Sequence, residues 1–391
     1  MSESRRIPGF TSTGSKRPDA LFGADAPGAP RLTARASGCQ VWDEAGREYL
    51  DYVMGLGAVA LGYGHPAVTR AAKEAVEAGV VGPLPPALEA EVAEALCVRL
   101  PGVERVRFLK TGAEAVAAAV RLARVATGRD LVLSCGYHGW LDWSQGSVEG
   151  VPAPVRALRH DLPFNDAARS RALIRDAGSA LAAVAIEPVV VQEPTREWLE
   201  VLRRETQAVG AVLIFDEIKT AFRLAVGGAA ERWGVQPDLM VVGKALANGF
   251  PLAAVGGATA VMEGASRTWI SSTLATESVS LAAARATIGV FSAEPVCARL
   301  HAVGTRLLHG LHALAAAHRD VVTGVAGVAE MCFLHYTDDR TSASVARACA
   351  ARGILFKRTA YNFVSYAHAE ADVDRTLSVL DEVLGLVARE A

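Results

Sequence analysis

The sequence predicts an α/β chain: a large domain on a mainly parallel, doubly wound sheet, and a smaller α+β domain toward the C-terminus. Three observations predict it. Short β-branched apolar runs alternate with helical segments from about residue 103 to 260. Two of these runs, 212–215 and 239–242, each deliver a charged residue at their ends, Asp216 and, after Gly243, Lys244. Finally, 391 residues with 51% hydrophobic and 21% charged content exceed one ordinary domain and are rich in core material.

Taken in order, residues 1 to about 35 are rich in Gly, Pro, Ser and Ala without a sustained period, and read as an extended arm over a site or a partner subunit. QVWDEAGREYLDYV, from Gln40, reads as a hairpin turning at Asp43–Gly46. In GLGAVALGYGHP, Gly55, Gly57 and Ala60 nominally satisfy a dinucleotide fingerprint. That pattern requires a helix at once, and the stretch runs instead into Gly62, Gly64 and Pro66. Helical spacing covers His65 to Ala78, and a Pro-rich turn precedes a helix with Leu88, Val92, Ala95 and Leu96 on one face. VERVRFLK is a strand, and TGAEAVAAAVRLARVATGR is the strongest helix in the chain. The order strand, Lys110-Thr111-Gly112-Ala113, helix offers backbone N–H groups to an anion such as a phosphate; the plainer reading is an N-cap at Thr111.

DLVLSCGYHGW is a strand ending in Tyr137-His138-Gly139, and SALAAVAIEPVVV is another with Glu187 at its tip. Tyr137 can lie flat against a ring or equally belong to the core; His138 reads as structural. After the stretch 211–254 come Ser271-Ser272-Thr273, two helices, strands in GVAEMCFLHY, ILFKR and YNFVSYA, and a closing amphipathic helix. The expected boundaries are an arm and hairpin at 1–50 packing with the small domain, a large cofactor domain at 51–290, and a small domain at 291–391.

Bulk properties exclude several classes. A net charge of −2 without basic blocks argues against nucleic acid and anionic membranes. No apolar run reaches transmembrane length, and the N-terminus lacks a secretory h-region. Six scattered cysteines without a C-x-x-C pair suit reduced thiols in a cytoplasm, not a disulfide frame or a metal centre. The carboxyl ends of parallel strands are where ligand sites form. An acid and an amine delivered there suit a cofactor with a basic ring nitrogen and an electrophilic carbon. Only six lysines are present, so candidates for amine chemistry are few.

Read together, DEAGREYLDY, LGYGHP, TGAEA with RLAR and TGR, GYHGW, EPV, FDEIKTAFR, PDLMVVGKALANGFPLAAVGG, SSTLATES and YAHAEADVD resemble the class III aminotransferases. These are fold-type I pyridoxal phosphate enzymes, and the likeness is to their glutamate-1-semialdehyde aminomutase-like branch, from about Gln40 to the C-terminus. The resemblance implies the fold-type I PLP-dependent transferase fold and the cofactor pyridoxal 5′-phosphate. It implies Lys244 as the Schiff-base lysine and proton carrier, Asp216 on the pyridine nitrogen, and Gly112 and Ala113 on the phosphate. Tyr137 and Ile218 would cover the ring's two faces, and Thr273 would reach the phosphate of a neighbouring subunit, hence a homodimer with shared sites.

The sequence departs from that pattern in three places. Ala113 stands where the family has Thr or Ser, removing one hydroxyl from the phosphate loop. Lys219 stands where it often has Gln or Met, putting a cation near the cofactor's phenolic oxygen or an acidic substrate group, or else in solvent. The aminomutase N-terminal arm is missing and Leu56-Gly57 replaces a Trp-Gly, which turns the expectation from tetrapyrrole synthesis toward sugar or secondary-metabolite pathways. Glu187 is a candidate for orienting groups near the ring edge or else for capping a turn, and Arg358 is a candidate for a substrate carboxylate. The expected activity is transfer of an amino group from a donor to a ketone or aldehyde through a Lys244 aldimine and a pyridoxamine phosphate intermediate. The alternative is an aminomutase or amino-group epimerase; a binding protein without catalysis and a nicotinamide dehydrogenase are more distant.

Overall fold

A computed structural model describes residues 6–24, 26–145, 149–359 and 361–390. The chain divides into two compact units. One takes in the described residues up to His65 together with those from Ala298 onward; the other is Pro66–Cys297.

The first unit includes strands β1 (Thr33–Ser37), β2 (Gln40–Asp43) and β3 (Glu48–Asp51). The predicted hairpin is β2–β3, antiparallel with Val41 opposite Tyr49. Asp43 fixes its turn, accepting from the Ala45 and Arg47 N–H groups at 2.9 Å and from the Tyr49 hydroxyl at 2.8 Å. The segment expected to be an extended arm is not extended throughout. Pro18–Phe22 is helical, with proline in the first turn, where no N–H is needed, and Phe22 buried against Ala346 and Ala350. Residues 1–5 of that arm lie outside the described residues. Gly55 and Leu56 both take positive φ in a single helical turn, Met54–Gly57, so the glycines of the nominal dinucleotide fingerprint make a tight turn and not a strand-to-helix link.

The second unit carries a seven-stranded sheet. Its strands are β4 (Arg105–Leu109), β5 (Leu131–Cys135), β6 (Arg159–Asp161), β7 (Leu181–Ile186), β8 (Val212–Asp216), β9 (Leu239–Val242) and β10 (Ala253–Gly257). Their order is β4-β10-β9-β8-β7-β5-β6. Neighbours from β9 to β6 run parallel, while β10 is antiparallel to both β9 and β4, so β4 points the same way as the parallel set. The reversed strand was not anticipated. It arises because the Lys244 loop returns the chain directly beside β9 without a crossover helix. β7 and β8 are buried at every position, as continuous apolar runs covered on both faces require. The helix Gly112–Thr127 packs Ala115, Val116, Ala119, Leu122 and Ala123 on this sheet. Its small residues let the helix come close, and Gly128 at φ 69° ends it.

In the first unit, β11 (Val322–Val328), β12 (Met331–Tyr336), β13 (Ile354–Leu355) and β14 (Asn362–Phe363) follow. β11-β12-β14 form one antiparallel sheet, and β13 adds in parallel beside β3. The helix Glu370–Glu390 closes the chain. Among the described residues no helix is long and apolar enough to cross a membrane, and no group of His, Cys, Asp and Glu has a metal-binding arrangement.

Candidate active site

Six strands of the second unit point their carboxyl ends in one direction, and five of them are followed by a candidate residue. β8 ends in Asp216, and β9 runs through Gly243 to Lys244. β7 leads to Glu187, β5 to Gly136-Tyr137-His138, and β4 to Thr111-Gly112-Ala113. Asp216 lies opposite Val241 across β8–β9, so the acid and the lysine leave adjacent strands.

At β4's end the two readings of the Thr111 stretch prove compatible. Thr111 is the N-cap: its Oγ1 accepts from the Glu114 N–H at 3.2 Å, and the Glu114 carboxylate accepts from the Thr111 N–H at 2.9 Å. That capping box takes two of the donors at the helix start. The N–H groups of Gly112 and Ala113, in the first turn, have no acceptor within the helix. The Ile218 side chain wedges between this loop and the lysine loop. A Cβ at Gly112 would lie 3.0 Å, and one at Gly243 2.8 Å, from Ile218 Cδ1. Gly139, at φ 92°, brings its backbone so close to the Ala113 methyl that a Cβ there would overlap it. Ala113 is therefore a packing partner as well as a loop donor, which explains a small residue at this position.

Asp216 is buried, and its Oδ2 lies 2.8 Å from Nδ1 of the buried His138. A carboxylate only accepts, so Nδ1 carries the proton. Oδ1 accepts from the Ile218 N–H at 3.3 Å. His138 in turn stacks on Trp143, with ring centroids 5.7 Å apart. Sequence reasoning set His138 aside as structural, whereas the structure makes it the direct partner of Asp216. The sheet order carries that information: β5 and β8 flank β7, and residues following both strands meet above it.

Lys244 takes φ 44°, an uncommon conformation for a non-glycine residue and one that accumulates at functional sites. Burial, and next the ammonium of Lys219, push its amine down to about 8, against the weaker opposing pull of Glu187 and Asp216. Lys219 does not turn to solvent: its Nζ lies 2.9 Å from Glu187 Oε1. Glu187 Oε2 accepts from the Tyr137 N–H at 2.9 Å, which fixes the start of the aromatic loop. The Tyr137 side chain itself is 67% exposed, open to a ligand's face.

Two candidates make no hydrogen bond or ion pair with this cluster among the described residues. Thr273 is exposed on the stretch before the helix Ser278–Ala293, and among the described residues no hydrogen bond or ion pair ties it to the other candidates. Its segment is anchored by Glu277, which caps that helix and pairs with Lys110 at 2.7 Å. Arg358 lies in the first unit, and the role expected for it meets a structural obstacle. Its guanidinium binds Asp339 and Ser342 and donates to the carbonyls of Asp19 and Ala20, so a substrate carboxylate would have to displace those contacts.

Glu217, beside Asp216, went unnoticed in the sequence. It is fully buried, takes the Thr220 hydroxyl, and accepts from the N–H groups of Ala229 and Ala230 at 2.8 Å, so it clamps the connector that follows β8. Burial pushes its carboxyl up to about 7. With the folded value raised, its contribution to stability is full below the ordinary 4.5 and is lost as pH rises through about 7. Glu217→Ala leaves three donors unpaired and is expected to destabilise the chain by roughly 3 kcal/mol or more, read as a lower urea midpoint. An unchanged midpoint would show that water replaces the carboxylate at no cost.

Comparison with known proteins agrees with this geometry. The aminotransferase class-III family matches residues 24–384. The glutamate-1-semialdehyde 2,1-aminomutase of Thermomicrobium roseum is 35% identical over 92% of this chain and 92% of its own length. That of Neisseria gonorrhoeae is 34% identical over 98% and 96%. Among solved structures, the PLP internal aldimine form of the Sphingopyxis sp. MTA144 FumI protein superposes with a TM-score of 0.91 at 27% identity, covering 99% of this chain and 94% of that one. An omega-transaminase from Sphaerobacter thermophilus gives 0.89 at 27%, covering 99% and 96%. With a family match over nearly all of its length and an acid and a lysine on adjacent strand ends, the chain belongs to the class III aminotransferases and is a pyridoxal-phosphate-dependent enzyme.

Proposed function

We propose that this enzyme moves an amino group from a donor to a ketone or aldehyde acceptor in a biosynthetic pathway of the sugar or secondary-metabolite kind, as a cytoplasmic homodimer. The observation that carries the catalytic part is the pair on adjacent strands: a carboxylate at Asp216 and, at Lys244, an amine made easy to deprotonate by burial and a neighbouring cation.

The residues fit pyridoxal phosphate. The uncapped N–H groups of Gly112 and Ala113 suit its phosphate, and a Cβ at Gly112 or Gly243 would crowd Ile218 out of the place where it can face one side of a ring. The exposed Tyr137 ring suits the opposite side. Asp216, oriented by His138, suits a protonated ring nitrogen through a charge-assisted hydrogen bond of about 1.5–3 kcal/mol. When bound, the cofactor supplies the electron sink that lets a substrate's Cα lose its proton. Lys244 then has two tasks: its Nζ holds the cofactor, and, once free and neutral, takes and returns that proton. Thr273, exposed and held near Lys110 by Glu277, suits the phosphate of a second copy, which is the basis for the dimer. Cysteines without disulfides support a reducing compartment.

A second reading is favoured by the aminomutases among the relatives: the same residues would return the amino group to the molecule it came from. A single experiment separates the two. Purified enzyme is given an amino donor alone, then a carbonyl acceptor, and product is followed against the visible absorbance of the cofactor. Transfer between two molecules predicts one equivalent of product per site with the donor alone and sustained turnover only after acceptor is added. Sustained turnover without acceptor would establish the intramolecular reading instead.

A further inference from the structure

One feature of the site is not needed to hold the cofactor or move a proton: the ion pair between Lys219 and Glu187. Both side chains are largely withdrawn from water, Lys219 13% and Glu187 7% exposed. Desolvating a pair of charges is costly, and a methionine–glutamine pair would avoid that cost. Its location is also constrained. Glu187 follows β7 and Lys219 follows β8, while Ile218, the residue before Lys219, presses on Gly243, the residue before Lys244. Lys219 thus follows directly on the residue packed against the lysine loop, and its ammonium is held by a carboxylate at the end of the next strand. That carboxylate is fixed in turn: its second oxygen accepts from Tyr137 N–H, and the absence of a side chain at Gly136 makes room for it, since a Cβ there would sit 2.7 Å from Oε2.

We propose that Lys219 is a positioning residue for Lys244: its ammonium, pinned by Glu187 beside the lysine loop, disfavours a second cation at the catalytic amine, and through the shared carboxylate it is located together with Tyr137. This rests on the reading of Lys244 as the reactive amine. The pinned geometry favours this role over capture of a substrate carboxylate, because the ammonium already has an anionic partner at 2.9 Å. A like charge near a desolvated lysine disfavours its protonated form: Lys219 acts in the same direction as burial, as Arg223 does more weakly, while Glu187 and Asp216 oppose them.

The test uses Lys219→Met, which keeps the stem and removes the charge, and Lys219→Arg, which keeps the charge. The first readout is the pH titration of the holoenzyme's visible absorbance. The second is the pH dependence of Lys244 acetylation by acetic anhydride in the full chain freed of cofactor, followed by mass spectrometry. The native midpoint for acetylation is expected near 8. Lys219→Met should raise both midpoints by about one pH unit, the shift that one charge interaction commonly gives, and so lower the neutral fraction about tenfold below the midpoint. Lys219→Arg should leave both within about 0.3 unit of native. Unchanged midpoints in Lys219→Met, with native circular dichroism, would overturn the proposal, as would an equal shift in Lys219→Arg. If Lys219→Met does not fold, Lys219→Gln takes its place with the same criteria. Neither readout requires transamination. Failure of the proposal therefore leaves the amino-donor experiment standing, and failure of that experiment leaves the acetylation result interpretable.

Discussion

Lys244→Ala should bring turnover down by at least about 10²–10⁴-fold, the range lost when a positioned proton carrier is removed, with the covalent hold on the cofactor lost in addition. The measurement is single-turnover conversion of a donor with cofactor in excess, so that weaker binding is not mistaken for slower chemistry. Activity within tenfold of native would remove Lys244 from the mechanism. A small primary amine added to the variant should restore part of the rate, because what is missing is an amine and not a fold. The native amine also has a pH signature. Its folded value is lowered from 10.5 to about 8, so the unfolded chain binds the proton more tightly between those values. The resulting penalty on the cofactor-free protein is full below about 8 and is relieved as pH rises to 10.5, and cofactor uptake should quicken as pH rises through 8.

Asp216→Asn should weaken cofactor retention by roughly 10- to 150-fold, equivalent to losing a charge-assisted hydrogen bond of about 1.5–3 kcal/mol. Turnover should fall further than binding, because a ring nitrogen without its carboxylate is a poorer electron sink. Dissociation constants by absorbance titration, set beside the rate of the donor half-reaction, give the two effects separately. An unchanged half-reaction rate at saturating cofactor would mean that Asp216 acts on binding only. The carboxylate's buried partner adds a structural consequence. His138 Nδ1 donates to Asp216, and an amide at 216 can accept that bond only in one orientation, so a modest loss of stability should accompany the chemical one.

Much of this was readable before any fold was known, because charged residues at the ends of β-branched runs are conspicuous and parallel strands put such ends on one side. The strands, the long Ala-rich helix and the lysine loop follow from local pattern. What pattern could not supply was partnership across the sheet. His138 and Asp216 are 78 residues apart in sequence, and only the strand order brings them to 2.8 Å. The Lys219–Glu187 pair is equally nonlocal, which is why a solvent-facing Lys219 was an equal alternative. Glu217 escaped notice because an acid beside a more conspicuous acid reads as its shadow. Arg358 illustrates the converse: a cation at a strand end suggests anion binding, until its neighbours prove to be the chain's own carbonyls and Asp339.

The reversed strand β10 has a further consequence for Lys244. The loop that carries it is clamped at both ends by one ladder, with Ala254 opposite Val242. With both anchors of the loop held in the sheet, the four-carbon stem of Lys244 supplies its reach into the site. An amine tethered so closely has a high effective molarity toward whatever occupies the site, and its recapture after each cycle needs no search. In that sense the unanticipated strand works as a short leash: it trades the mobility of a lid for speed of return.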